Sequence, residues 1–160
     1  MTISQESILA DTFNQILTIL NTNAHTIDLD GGGTATLRQW SSGKYWTVAY
    51  PTIDVDSRDS YPMGIIHKPT LTETGAGLRL VDHTIRIEIE VLTLSAEQAT
   101  KFADKVKDAL EDAIDTFELA GLHRKSVTAM RSEVIFRPSS NLKVHSIVLP
   151  YEFEYSLVRA

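Results

Sequence analysis

Apolar and polar residues alternate along the middle of the chain: His83, Ile85, Ile87, Ile89 and Val91 fall on one side of an extended backbone, and Asp82, Thr84, Arg86, Glu88 and Glu90 on the other. A period of two marks a strand with one buried and one hydrated face. The alternation lapses at Leu92-Thr93-Leu94, and helical spacing follows in Ala99, Phe102, Ala103, Val106, Leu110, Ala113, Ile114 and Phe117. Ser95 stands at an N-cap with Gln98 three residues on, and Gly121 is placed to stop the helix. The spacing therefore predicts a strand over 83–94 feeding one helix over 96–120. The closing segment, 144–158, repeats the strand theme. Ile147, Leu149, Tyr151, Phe153, Tyr155 and Leu157 share one face, with Glu152 and Glu154 on the other.

The rest of the chain is less regular. Leu9, Phe13, Ile16, Leu17 and Leu20 make an apolar stripe that predicts a short helix over 2–20, with Thr2 and Gln5 as its capping box. Turn formers dominate 21–80, where strands are expected at 34–40 and 45–50, joined by a hairpin turn at Ser41-Ser42-Gly43. Gly31-Gly32-Gly33 reads as a hinge. A further strand is expected near 63–66, and another over 126–136, with Arg-Pro-Ser-Ser-Asn at 137–141 turning into the last strand.

These elements give an α+β fold in a single domain, 1–160: an antiparallel or mixed sheet with a long amphipathic helix packed on one face and a short N-terminal helix. An irregular extended loop or projecting hairpin occupies about 54–80. Loops of that length are usually functional or mobile. That makes Asp54, Asp56, Arg58, Asp59, Tyr61, His67 and Lys68 candidates for docking a partner.

Composition narrows the chemistry. The chain has 160 residues, 42% of them hydrophobic and 22% charged, which is ordinary for a globular protein. No apolar run approaches the ~20 residues that span a bilayer, and no basic region followed by an apolar core opens the chain, so no membrane association is expected. Zero cysteines exclude disulfides, thiol catalysis and thiolate-ligated zinc. The net charge of -6 argues against wrapping duplex DNA, which requires clustered Lys and Arg, and is compatible with a surface past which DNA slides.

Each constellation that resembles a catalytic or metal site has a plainer reading beside it. Asp54-Val55-Asp56 has the spacing of a phosphatase nucleophile loop that binds magnesium, but Pro51 interrupts the supporting strand and repeated strand-helix units are missing. Asp28-Leu29-Asp30-Gly31 fails as a calcium loop, since Thr26 and Leu37 stand where acidic ligands belong. The triple glycine lacks the Lys-Ser or Lys-Thr of a phosphate loop. His25, His67, His83, His123 and His145 show no close metal-ligand spacing, although His83 and His145 would approach if each began a paired strand. Glu88, Glu90, Glu152 and Glu154 all oppose an apolar strand face. They form either the wet side of a two-layer sheet, balanced by Arg86, Arg131 and Lys143, or a surface that meets a neighbouring subunit or lines a DNA conduit.

The order of elements resembles the tail terminator, or tail completion, proteins of long-tailed phages and related archaeal viruses. The resemblance rests on HTIRIEIEVLTLSAEQATKFADKVKDAL at 83–110 and IVLPYEFEYSLV at 147–158. It implies a non-enzymatic ring subunit, usually hexameric, at the head-proximal end of the tail. Such a ring stops tail-tube polymerisation and joins tail to head. The implied partners are further copies of the chain, the tail-tube protein and neck or connector proteins, with DNA passing through unbound. The implied location is the virion, after assembly in the host cytoplasm. No catalytic residue, cofactor or metal follows from the family. The alternatives are a neck or head-completion connector, and a small metal-dependent phosphatase using Asp54 and Asp56.

Overall fold

The alternating segment and the closing segment become the two longest strands, and they pair with each other. The computed structural model describes residues 7–48, 54–67, 69–75, 80–119, 121–124 and 130–158. In chain order the elements are α1 (Ile8–Asn23), β1 (Thr26–Asp28), β2 (Thr34–Thr36), β3 (Trp46–Val48), β4 (Met63–Ile66), β5 (Thr70–Gly75), β6 (Leu80–Thr93), α2 (Ala96–Asp112), α3 (Ile114–Leu119), β7 (His123–Arg124), β8 (Arg131–Arg137) and β9 (Leu142–Val158).

β6 and β9 run antiparallel from Leu80 opposite Val158 to Thr93 opposite His145. This register sets Ile85, Ile87, Ile89 and Val91 on the same face as Ile147, Leu149, Tyr151 and Phe153, all of them buried. α2 packs against both strands through Phe102, Ala103, Val106 and Leu110, and α1 lies alongside it with Ile8, Ile16, Ile19 and Leu20 turned inward. The sheet order is β3-β4-β6-β9-β7, with β5 beside the other half of β6 and β8 beside the other half of β9. One face of the sheet is thus covered by helices, in the expected α+β arrangement.

Local signals account for most helix ends. The Ser95 hydroxyl accepts from the Gln98 backbone N–H at 3.4 Å, as the capping box predicts. The expected single helix over 96–120 breaks at Ala113 into α2 and α3, yet Ala113 and Phe117 stay buried, so the apolar stripe runs on through the bend. Gly121 adopts φ +88, its N–H bonding the Glu118 carbonyl at 2.9 Å while the Leu122 N–H bonds Phe117 at 2.9 Å. That is a Schellman stop, and buried Leu122 and Phe117 supply its apolar contact. At the other end, the expected Thr2–Gln5 capping box lies outside the described residues. α1 continues past Leu20 to Asn23, and the Ser7 hydroxyl donates to the Asp11 carboxylate at 2.8 Å.

Three expectations about 21–80 need correction. β2 and β3 do not pair with each other: β2 pairs with β1, and β3 joins the main sheet parallel to β4. Ser41-Ser42-Gly43 does turn the chain, but closes only the bridge between Ser41 and Lys44. Burial of Trp46 draws β3 away: its ring packs on Gly64 and its Nε1 donates to the Ala24 carbonyl at 2.9 Å. Gly31-Gly32-Gly33 is the tip of the β1–β2 hairpin, with positive φ at Gly32 and Gly33. Lys101 pins this tip to α2 through the Asp28 carbonyl at 2.8 Å and Asp30 at 2.7 Å. Within 54–80, β4 falls at the expected place, and β5 is an antiparallel arm along β6.

Candidate functional site

The face turned away from the helices carries all four candidate glutamates. Arg86 stands opposite Glu152, Thr84 opposite Glu154, Glu88 opposite Pro150 and Glu90 opposite Val148. Cross-strand partners share a face, so register alone gathers these carboxylates. Their environments then diverge. Glu88 accepts from Arg86 Nη2 at 3.3 Å and from Arg131 Nη2 at 3.2 Å, and Arg86 Nη1 reaches Glu152 at 3.2 Å. The balancing charges expected at Arg86 and Arg131 are therefore present, whereas Lys143, expected with them, lies opposite Phe136 on the helix side of β9.

Glu90 departs from the expected wet face. It is only 4% exposed, with His67 Nε2 at 3.0 Å from Oε1 and the Ser146 hydroxyl donating to Oε2 at 2.6 Å. The alternation placed it on the correct side of the strand, but that side is not uniformly hydrated. A second apolar cluster of Met63, Ile65, Leu92 and Val144, flanked by Trp40, Tyr61 and Leu94, covers the neighbouring end of the same face. Leu92, where the alternation failed, was the sequence signal for it. Beside Glu90 opens a cavity of about 290 Å³ lined by His67, Glu88, Arg131, Glu133 and Ser146.

Ser, Glu and His together suggest a hydrolase, but the order is wrong. The carboxylate sits between hydroxyl and imidazole, whereas nucleophile activation requires the imidazole against the hydroxyl. The arrangement is suited to holding β4, β6 and β9 together.

The Asp54–Tyr61 segment is a folded turn. The Asp54 carboxylate accepts from the Asp56 N–H at 3.0 Å, the Ser60 hydroxyl donates to the Asp54 carbonyl at 2.6 Å, and the Tyr61 hydroxyl donates to the Val55 carbonyl at 2.7 Å. The Asp56 carboxylate accepts from Arg137 Nε at 2.8 Å and the Ser140 hydroxyl at 3.1 Å. Arg137's hydrogen bond holds the Asp56 carboxyl below the usual carboxylate range, and the same bond raises Arg137. Burial pushes the Tyr61 phenol up. A carboxylate engaged this way is a tether and a poor magnesium ligand, which weighs against the phosphatase reading.

Of the docking candidates, Asp54, Arg58 and Asp59 are exposed, Asp56, Tyr61 and His67 are engaged in the fold, and Lys68 lies outside the described residues. His83 and His145 belong to paired strands but face Tyr155 and Thr93, ten residues apart along β6 and so separated by ~33 Å. Among the described residues no group of three or more His, Asp or Glu is placed to hold a metal ion, and no helix is long and apolar enough to cross a membrane.

One surface escaped the sequence reading. β8 exposes Val134, Ile135 and Phe136, with Met130 just before it. The available signal was three consecutive apolar residues between Glu133 and Arg137, which gives the strand an apolar residue on each face.

No protein-family model matches the chain, and no curated protein matches it. Among solved structures it is similar to a chain of the virion of native gene transfer agent (GTA) particle, at 15% identity, over 71% of this chain and 81% of that one, with a TM-score of 0.35. A likeness of that size assigns neither family nor function.

Proposed function

We propose that the chain is a structural, non-enzymatic virion subunit that assembles with copies of itself into a ring, a hexamer by the resemblance, at the head-proximal end of a viral tail. There it ends tail-tube polymerisation and joins tail to head, after assembly in the host cytoplasm. The observation that carries this reading is a sheet in which β5 on one side and β8 on the other have no further strand beside them among the described residues and expose apolar side chains. Unlike surfaces on opposite sides of one subunit build heterologous contacts, and these give a ring where the rotation between neighbours closes. The polar face suits a conduit wall, since Glu88 and Glu152 pair with Arg86 and Arg131 and offset their charge toward passing phosphates.

The test is co-purification of the chain with the tail-tube protein and the neck proteins of its own virus, followed by negative-stain imaging. Annular oligomers that cap tubes are expected. Retention by the neck proteins alone, without capped tubes, would select the connector role. A chain that stays monomeric with every partner would overturn both.

A further inference from the structure

Val134 and Phe136 are 57% and 52% exposed on a strand whose outer edge is unpaired among the described residues. Half-exposed apolar side chains on an open edge make a template for another strand, and natural proteins blunt such edges unless they are used. Across the sheet, β5 presents a second open edge with Leu71 36% exposed.

The register shows how these edges match. Val134 is opposite His145 and Phe136 opposite Lys143, on the side of β9 that faces the helices. Leu71 is opposite Ile85, on that same side of β6. The apolar residues of both edges therefore lie on one face of the sheet. β8 has seven residues and β5 has six, so either can pair along nearly the whole of the other. On the opposite face the charged row Arg131, Glu133 and Arg137 would meet Thr70 and Thr72, with no like charges set across from one another.

We infer that the β8 edge of one copy pairs with the β5 edge of the next, continuing the sheet from subunit to subunit with Val134 and Phe136 against Leu71. The occupant is a second copy of this chain, because one molecule carries both halves of the match. A symmetric β8-to-β8 contact would leave both β5 edges open, and pairing centred on Val134 would place Arg131 opposite Arg137. This inference rests on the ring reading and names the contact that builds the ring.

The absence of native cysteine makes a disulfide test clean. Thr72→Cys is combined in one chain with Glu133→Cys or Ile135→Cys, and each is also made alone. Under mild oxidation the double variants give a ladder of linked multimers ending at the ring size, while the single variants stay unlinked. Val134→Glu with Phe136→Glu, at exposed positions that spare the core, weakens self-association at least tenfold while the circular dichroism spectrum is unchanged. Dimers from Ile135→Cys alone overturn the inference in favour of a symmetric contact. A chain that stays monomeric, or oligomers that form without the β5–β8 link, overturn it as well. Tubes capped by rings lacking that link would leave the proposed function standing, whereas linked rings that cap no tube would leave the interface standing and remove the function.

Discussion

His67 and Glu90 meet across the β4–β6 pair, Nε2 to Oε1 at 3.0 Å, where the strand pattern alone would put Glu90 in water. The Ser146 hydroxyl from β9 closes the other side of the same carboxylate. Three neighbouring strands are thereby joined through one side chain. Glu90→Ala strips partners from a buried hydroxyl and from an imidazole. It should lower the unfolding free energy by about 1–3 kcal/mol, read as a lower urea midpoint at unchanged slope.

Trp46 and Gly64 make a second close approach, this one between parallel strands. A Cβ built on Gly64 would lie 2.6 Å from Trp46 Cε3. The indole cannot tip freely, because Nε1 is bonded to the Ala24 carbonyl and the Trp46 N–H to the Asn21 side chain, each at 2.9 Å. Gly64→Ala should therefore destabilise by about 1–3 kcal/mol. Gly31→Ala, which meets nothing within 4 Å, should change stability by less than about 0.5 kcal/mol, both variants being read by thermal melting.

The Asp56–Arg137 tether predicts an acid-dependent loosening of the 54–61 turn. The folded carboxyl is lowered, so the tether's contribution is complete above the unfolded carboxylate pKa of about 3.9 and is lost as pH falls through the lower folded value. Hydrogen exchange in 54–61, corrected for intrinsic rates, should stay slow from neutral pH down to about pH 4 and rise below it. Arg137→Gln should raise exchange where the tether is intact, above about pH 4, toward the level the native chain reaches only in acid, and so flatten this dependence. A steep transition near neutrality in the native chain would contradict the assignment.

The polar face allows a charge-reversal test of the conduit. Glu88→Lys, Glu152→Lys and Glu154→Lys are made together, and Glu90 is left alone because a buried lysine there would unfold the site. The ion pairs lost are partly solvated and each worth at most about 1 kcal/mol, so the subunit should still fold. Rings of this variant should bind duplex DNA at low salt and release it as salt rises. Folded rings without such affinity would place the face on an outer wall or against a neighbour.

The period-two runs and the helical stripe made β6, β9, α1 and α2 legible in the sequence, together with the Ser95 cap, the Gly121 stop and the shared face of the four glutamates. Each of these is a local property: strand alternation and helical spacing follow from backbone geometry within a few residues, and a cap involves its nearest turn. Tertiary structure alone decided that β3 joins β4 and leaves β2, that Glu90 is buried, that Asp56 finds Arg137 81 positions away, and that β5 and β8 lie at sheet edges with apolar side chains exposed. Those outcomes depend on which distant segments share a register and on what covers each face. Trp46 on Gly64 and the Met63–Leu92 cluster show this for β3 and for the Glu90 face, burying side chains whose neighbours in space are remote in the chain.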